Sequence, residues 1–202
     1  AMNHMHKGPV AQDPRRRFGT GAIRPARRKV TIDELIAIGN RYHKEGELRD
    51  AETIFRKVLE VIPNHPVALQ FLGVIAHQTE NFDAAISLIN RAIESAPDYH
   101  QAYNNLGNAY EAKGEMEKAL EVYQKALDLD PDYFDANFNM GIAQRHLRQF
   151  EDAAESFQRC IEFDPRCADA HYELGFARQR LGDRVKAQIS YQVALNLDPD
   201  HA

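Results

Sequence analysis

The sequence predicts an all-α fold, a solenoid of antiparallel helix hairpins, and three observations predict it. Gly39, Gly73, Gly107, Gly141 and Gly175 recur every 34 residues without a slip. Each is followed by an alanine (Ala51, Ala85, Ala119, Ala153, Ala187) and then a proline (Pro63, Pro97, Pro131, Pro165, Pro199), so three residue types keep one period through the body of the chain. Within one period, Tyr103, Leu106, Gly107 and Tyr110 fall at i, i+3, i+4 and i+7, and Ala119, Tyr123, Ala126 and Leu127 form a second stripe. That spacing belongs to two amphipathic helices, not strands. An array of this kind has a long, thin core, because each unit buries its apolar faces on its neighbours.

The elements follow in order. Residues 1–31 read as a basic leader rich in Gly, Pro and Arg, flexible or docked on the rest of the chain. Residues 1–30 carry eight basic side chains against Asp13 alone, whereas the remainder carries 17 basic and 29 acidic ones, so leader and body should attract each other. Thr31 with Glu34 fits a capping box that opens a helix at Ile32. Five units follow, 32–65, 66–99, 100–133, 134–167 and 168–201. In the first, third and fifth, Gly46, Gly114 and Gly182 are placed to end the first helix by taking the left-handed conformation. Gly107 is expected to face Ala119, where small side chains let two helices approach. The proline of each unit has no N–H with which to continue the second helix. Asn137 and His171 replace the large apolar residue of earlier units, and Gln144 and Arg178 replace the tyrosine, so looser packing is expected there.

Composition excludes several classes. No run of 18 apolar residues exists and residues 1–30 lack an apolar export segment, so neither a membrane span nor secretion is supported and a cytoplasmic protein is expected. Cys160 and Cys167 make no disulfide framework. Cys160 stands where other units carry Ala92, Ala126 and Ala194, which reads as a small buried slot. His43 and His77 fall at equivalent places with His146 nearby, but no cysteine or carboxylate cluster accompanies them, and no metal site is assigned. With no nucleophile elbow, phosphate-binding glycine loop or paired metal motif, no catalytic residues, no cofactor and no enzyme are predicted. Arg15, Arg16, Arg17, Arg27, Arg28 and Lys29 would suit phosphates, yet only Phe18 interleaves them and the body is acidic, which disfavours nucleic acid.

The 34-residue unit resembles the tetratricopeptide repeat (TPR), with the fullest match in the third unit: Tyr103, Leu106, Gly107, Tyr110, Ala119, Tyr123, Ala126 and Pro131. The resemblance implies a right-handed superhelix whose first helices line a concave groove that binds an extended peptide or a partner helix. The groove residues it implies are Asn40, Phe71, Asn104, Asn105, Asn108, Asp135, Phe138, Asn139, Tyr172, Glu173 and Phe176, with Arg145, His146 and Arg180 nearby. Asn105 and Asn139 occupy the same place in consecutive units. A ladder of such amides, similar to those in the repeat region of O-linked N-acetylglucosamine transferase, pairs with peptide backbone whatever its side chains. Ala37, Phe71 and Glu173 keep the ladder short.

The family's clamp for a C-terminal carboxylate is matched at Asn108 and Asn139, but Asn104, Asp169 and Glu173 stand where its lysines and arginine belong. That favours a neutral or basic peptide over an acidic one, with Phe138, Tyr172 and Phe176 as anchors. The last helix keeps Ile189, Val193, Leu195 and Leu197, an apolar set that a terminal repeat would not expose. A chain truncated after residue 202, self-association through that helix or through the basic arm, and a substrate-recognition arm of a larger glycosyltransferase or methyltransferase are the expectations this raises beside the scaffold.

Overall fold

The structure, a computed structural model, describes residues 30–199; the readings of the leader fall outside them, apart from Val30 and Thr31. Among the described residues there are ten helices and no strand. The first helices of the hairpins are α1 (Ile32–Lys44), α3 (Pro66–Gln78), α5 (His100–Ala112), α7 (Phe134–His146) and α9 (Ala168–Arg180). The second helices are α2 (Leu48–Val61), α4 (Phe82–Ser95), α6 (Met116–Leu129), α8 (Phe150–Phe163) and α10 (Arg184–Leu197). None is long and apolar enough to cross a membrane.

The punctuation of these helices is local chemistry. The Thr31 side chain accepts from the Glu34 N–H at 3.2 Å while Glu34 Oε2 accepts from the Thr31 N–H at 2.9 Å, a complete capping box. Every hairpin turn contains one left-handed residue, at Gly46, Glu80, Gly114, Arg148 and Gly182. The following N–H then reaches back five residues, as from Glu115 to the Tyr110 carbonyl at 2.9 Å. Glycine takes this backbone without strain, so Glu80 and Arg148 hold it at a cost. Each second helix ends at a residue directly before the proline, Ile62, Ala96, Asp130, Asp164 or Asp198, with ψ between 85° and 97°. A proline ring pushes its predecessor out of the helical region in this way.

Each unit packs around a glycine, chiefly against a residue other than the predicted alanine, although at Gly73 the Ala85 carbonyl oxygen also comes within 3.3 Å of an added Cβ. A Cβ added to Gly39 would lie 2.7 Å from Phe55, one at Gly141 2.7 Å from Phe157, and one at Gly175 2.8 Å from Tyr191. At Gly107 the nearest atoms belong to the Tyr123 ring, not to Ala119. The glycine therefore seats a large side chain 16 residues on, while Ala51, Ala85, Ala119, Ala153 and Ala187 are buried as small neighbours. Separate apolar clusters join units: Phe55, Val58, Leu72 and Ile75 at the first junction, Ile89, Leu106 and Val122 at the second. Tyr123 with Ala143 serves the third, and Phe157 with Leu174 the fourth.

The polar substitutions of the fourth and fifth units are paired. Asn137 donates to the Pro131 carbonyl (3.1 Å), and His171 Nε2 lies 3.0 Å from the Pro165 carbonyl. The Ser156 hydroxyl donates to Gln144 Oε1 (2.8 Å), and Arg178 donates to Ser190 Oγ (2.8 Å). Volume is nonetheless left where tyrosines stood: clefts of 230 and 330 Å³ both open beside Asn137, the larger one also beside Gln144 and Ser156.

Candidate functional site

α5 touches both α3 and α7, whereas successive second helices do not approach each other comparably, so the first helices form the inner side of the stack. The predicted groove residues all lie on them. At the centre of this side is a hydrogen-bonded network that spans two units. Asn139 on α7 donates from Nδ2 to Asn104 Oδ1 (3.1 Å) and Asn108 Oδ1 (3.0 Å) on α5. Behind it, the Tyr123 hydroxyl reaches Asn108 Oδ1 (2.7 Å) and Glu111 Oε2 (3.0 Å). Burial, then the charge of Glu111, pushes the Tyr123 phenol far above its usual range, so it stays a donor. Tyr191 and Gln179 repeat the arrangement at 2.9 Å in the last unit.

This differs from a simple amide ladder. Asn105 and Asn139 share a register position but do not bond to each other; Asn139 is held by the preceding helix. Asn105 is half-buried, and its side chain makes no hydrogen bond among the described residues. The Asn139 Oδ1 acceptor and the Asn108 Nδ2 donors likewise have no hydrogen-bond partner among the described residues. Asn104 is only 3% exposed and acts as the floor, and Asn40 keeps a buried Oδ1 without a hydrogen-bond partner.

The aromatic residues are tied to the core from the groove side. Phe71 stacks on Phe55 at 5.0 Å with His43 edge-on at 5.6 Å. Phe138 packs on Phe157 at 5.6 Å and Tyr172 on Tyr191 at 5.4 Å, the same 19-residue spacing in consecutive units. Of these anchors, Tyr172 is the most open, at 39% exposure. Asp135 and Asp169 are exposed at the starts of α7 and α9. Glu173 is paired with Arg145 Nε at 3.4 Å and is only 14% exposed, so its charge is largely compensated. Arg145 in turn lies over the Phe176 ring at 5.4 Å.

His43 Nε2 bonds Gln78 Oε1 at 3.1 Å instead of turning toward the other histidines. Among the described residues no group of three or more His, Cys, Asp or Glu is placed to hold a metal. Two features lie beyond the sequence reading. Tyr123 and Glu111 hold the amides from behind; the signal for them is a tyrosine 15 residues after a groove asparagine. Arg148 and Phe150 flank the groove at the α7–α8 turn, and the signal there is an arginine at the turn position that glycine fills in three other units.

Stacked helical hairpins with a polar inner face define a repeat scaffold. A family model described as "Tetratricopeptide repeat" matches residues 42–110, another so described matches 134–167 and 168–201, and one described as "TPR repeat" matches 107–145. The chain belongs to the tetratricopeptide repeat family. No curated protein matches it at a significant level. Among solved structures it is similar to MamA, at 25% identity and a TM-score of 0.72 over 80% of this chain and 95% of that one. It is also similar to YrrB, whose structure is described as that of a TPR protein with an unusual peptide-binding site, at 24% identity and a TM-score of 0.68 over 86% and 90%. A thermophilic TPR protein from Thermus thermophilus matches at 21% identity and a TM-score of 0.68 over 85% and 93%. Proteins of this family are typically interaction scaffolds and generally not catalysts.

Proposed function

We propose that residues 32–201 are a scaffold that holds an extended peptide along the inner face of the first helices, with the amides of Asn105, Asn108 and Asn139 pairing to its backbone. One observation carries the reading: the Asn104–Asn139–Asn108–Tyr123 network fixes two of these amides while leaving donors and an acceptor with no partner among the described residues. Amides held in advance lose little side-chain freedom on binding. Backbone pairing leaves the choice of sequence to the flanks. There, exposed Asp135 and Asp169 favour neutral or basic residues, and Phe71, Phe138, Tyr172 and Phe176 offer apolar contact. The peptide-binding site named for YrrB supports the same use of this fold.

The experiment selects ligands for the purified chain from a random peptide display library and compares variants. Asn105→Ala is the clean probe, because the Asn105 side chain makes no hydrogen bond among the described residues. The double variant Asn105→Ala/Asn139→Ala should weaken binding roughly 5- to 100-fold, at about 0.5–1.5 kcal/mol per net hydrogen bond. Unchanged affinity with intact helicity discards the backbone-pairing role.

A further inference from the structure

At the turn edge of the groove, in the fourth and fifth units, lies a cleft of 370 Å³ lined by Arg145, His146, Arg148, Phe150, Phe176 and Arg180. We propose that this cleft, at the opposite ends of α7 and α9 from Asp135 and Asp169, binds an acidic segment of an otherwise neutral or basic peptide, its carboxylates on the arginines and a neighbouring apolar side chain on the two phenylalanine rings. The proposal deepens the scaffold reading and rests on it in taking the ligand to be a peptide. It uses no residue of the amide network.

The geometry carries it. Arg145 lies over Phe176 (5.4 Å), Phe176 meets Phe150 edge-on (6.4 Å, 63°), and Arg180 lies over Phe150 (5.1 Å), a continuous stack of cation, ring, ring and cation. A ring contact of this kind restrains a guanidinium while leaving N–H groups, those of Arg180 above all, for a planar anion, the use to which arginine is best suited. Among these arginines only Arg145 has an ion-pair partner, Glu173; Arg148 and Arg180 have none among the described residues. The cleft therefore keeps a positive surplus in a chain whose residues beyond 30 carry 29 acidic against 17 basic side chains.

A helix C-terminus accounts for cations in its last turn, which covers Arg145, His146 and Arg180. It does not account for Arg148, which lies past the end of α7 with φ at 62°, where glycine stands in three sister turns. A strained residue kept at the mouth of a cleft points to use there. The acidic surroundings favour a compact ligand of few charges over a long polyanion, because repulsion acts over a Debye length of about 8–10 Å.

The test measures binding of a short fluorescent peptide with glutamates flanking a leucine, beside its glutamine and lysine counterparts and a single-stranded oligodeoxynucleotide. The glutamate peptide should bind roughly 10-fold or more tightly than either counterpart at low salt. Arg148→Gly and Arg180→Gln should each weaken it roughly 5- to 30-fold, and Arg56→Gln, the same charge change on α2, should not. Arg148→Gly should at the same time raise the unfolding midpoint, so its loss of binding is not a loss of fold. Equal binding of the three peptides, or indifference to both cleft variants, overturns the proposal. Preferential binding of the oligonucleotide overturns the peptide assignment. In each case the groove reading stands or falls separately, on Asn105→Ala.

Discussion

Single residues in this chain differ in what they resist. Gly107 and Gly114 are seven positions apart and share nothing but their lack of a side chain. A methyl group at Gly107 would collide with the Tyr123 ring, which is fully buried and fixed at its hydroxyl by Asn108 and Glu111, so it cannot move aside. At Gly114 a Cβ meets open space, and the obstacle is the backbone, with φ at 76°. Gly107→Ala should therefore cost about 1–3 kcal/mol by overpacking. Gly114→Ala should cost about 1 kcal/mol, the penalty for a left-handed alanine. Urea unfolding separates the two, and equal costs would mean that the ring relaxes. The cysteines divide in the same way. Burial pushes the Cys160 thiol up to about 12, and it is 1% exposed, whereas Cys167 is half-buried. Since the thiolate is the reactive form, Ellman's reagent at neutral pH should titrate Cys167 in the native protein and Cys160 only after unfolding. Rapid reaction of both would contradict the packing around α8. Unfolded Cys160 releases its proton near pH 8.5 while the folded thiol keeps it, so its contribution to stability is lost as pH rises from there toward 12.

At the scale of the helix pair, the sequence shows the period, both apolar stripes and the helix-ending glycines, because each rests on spacing within one unit. It does not show which atoms meet across the hairpin. Counting small residues pairs Gly107 with Ala119, but a glycine can equally make room for a ring, and Tyr123 lies one helical turn beyond the alanine on the same face. Nor does spacing reveal that two substitutions compensate each other. Where the third unit has Tyr110 and Val122, the fourth has Gln144 and Ser156, joined at 2.8 Å with both residues buried. The fifth repeats the logic with Arg178 and Ser190. Removing one member strands the other: Ser156→Val should cost about 1–3 kcal/mol because Gln144 keeps a buried amide oxygen with no donor. Adding Gln144→Tyr restores the third unit's pair and fills the 330 Å³ cleft beside it, so the double variant should recover most of that loss. Additive losses in a thermal-unfolding cycle would show that the two positions act independently.

For the whole molecule, stability is carried by neighbours, since every apolar cluster spans adjacent helices and none reaches across the stack. The candidate groove inherits this property. Its amide network bridges α5 and α7 at the middle of the array, where both sides are covered, and that placement follows from the fold more than from any one residue. The resemblance to the tetratricopeptide repeat is enough to locate the inner face, but not the internal partners of Asn139 or the ion pair that compensates Glu173. Those depend on residues 28 to 35 positions apart, on successive first helices, turning toward each other. In a nearest-neighbour array, local opening should be easiest where one side lacks a partner. Among the described helices α10 packs chiefly on α9, with Val185 71%, Ile189 58% and Leu195 42% exposed, against the near-complete burial of Val122, Tyr123, Ala126 and Leu127 in α6. Amide hydrogen exchange of the 202-residue chain should therefore be fastest in α10 and slowest in α5 and α6. Because a ligand bound to the Asn105–Asn108–Asn139 face contacts α5 and α7, it should slow exchange there while leaving α10 as labile as before. Protection that is uniform from α1 to α10 would show a single cooperative unit in place of a chain of coupled hairpins, and the groove would then be stabilised by the array as a whole rather than by its middle units.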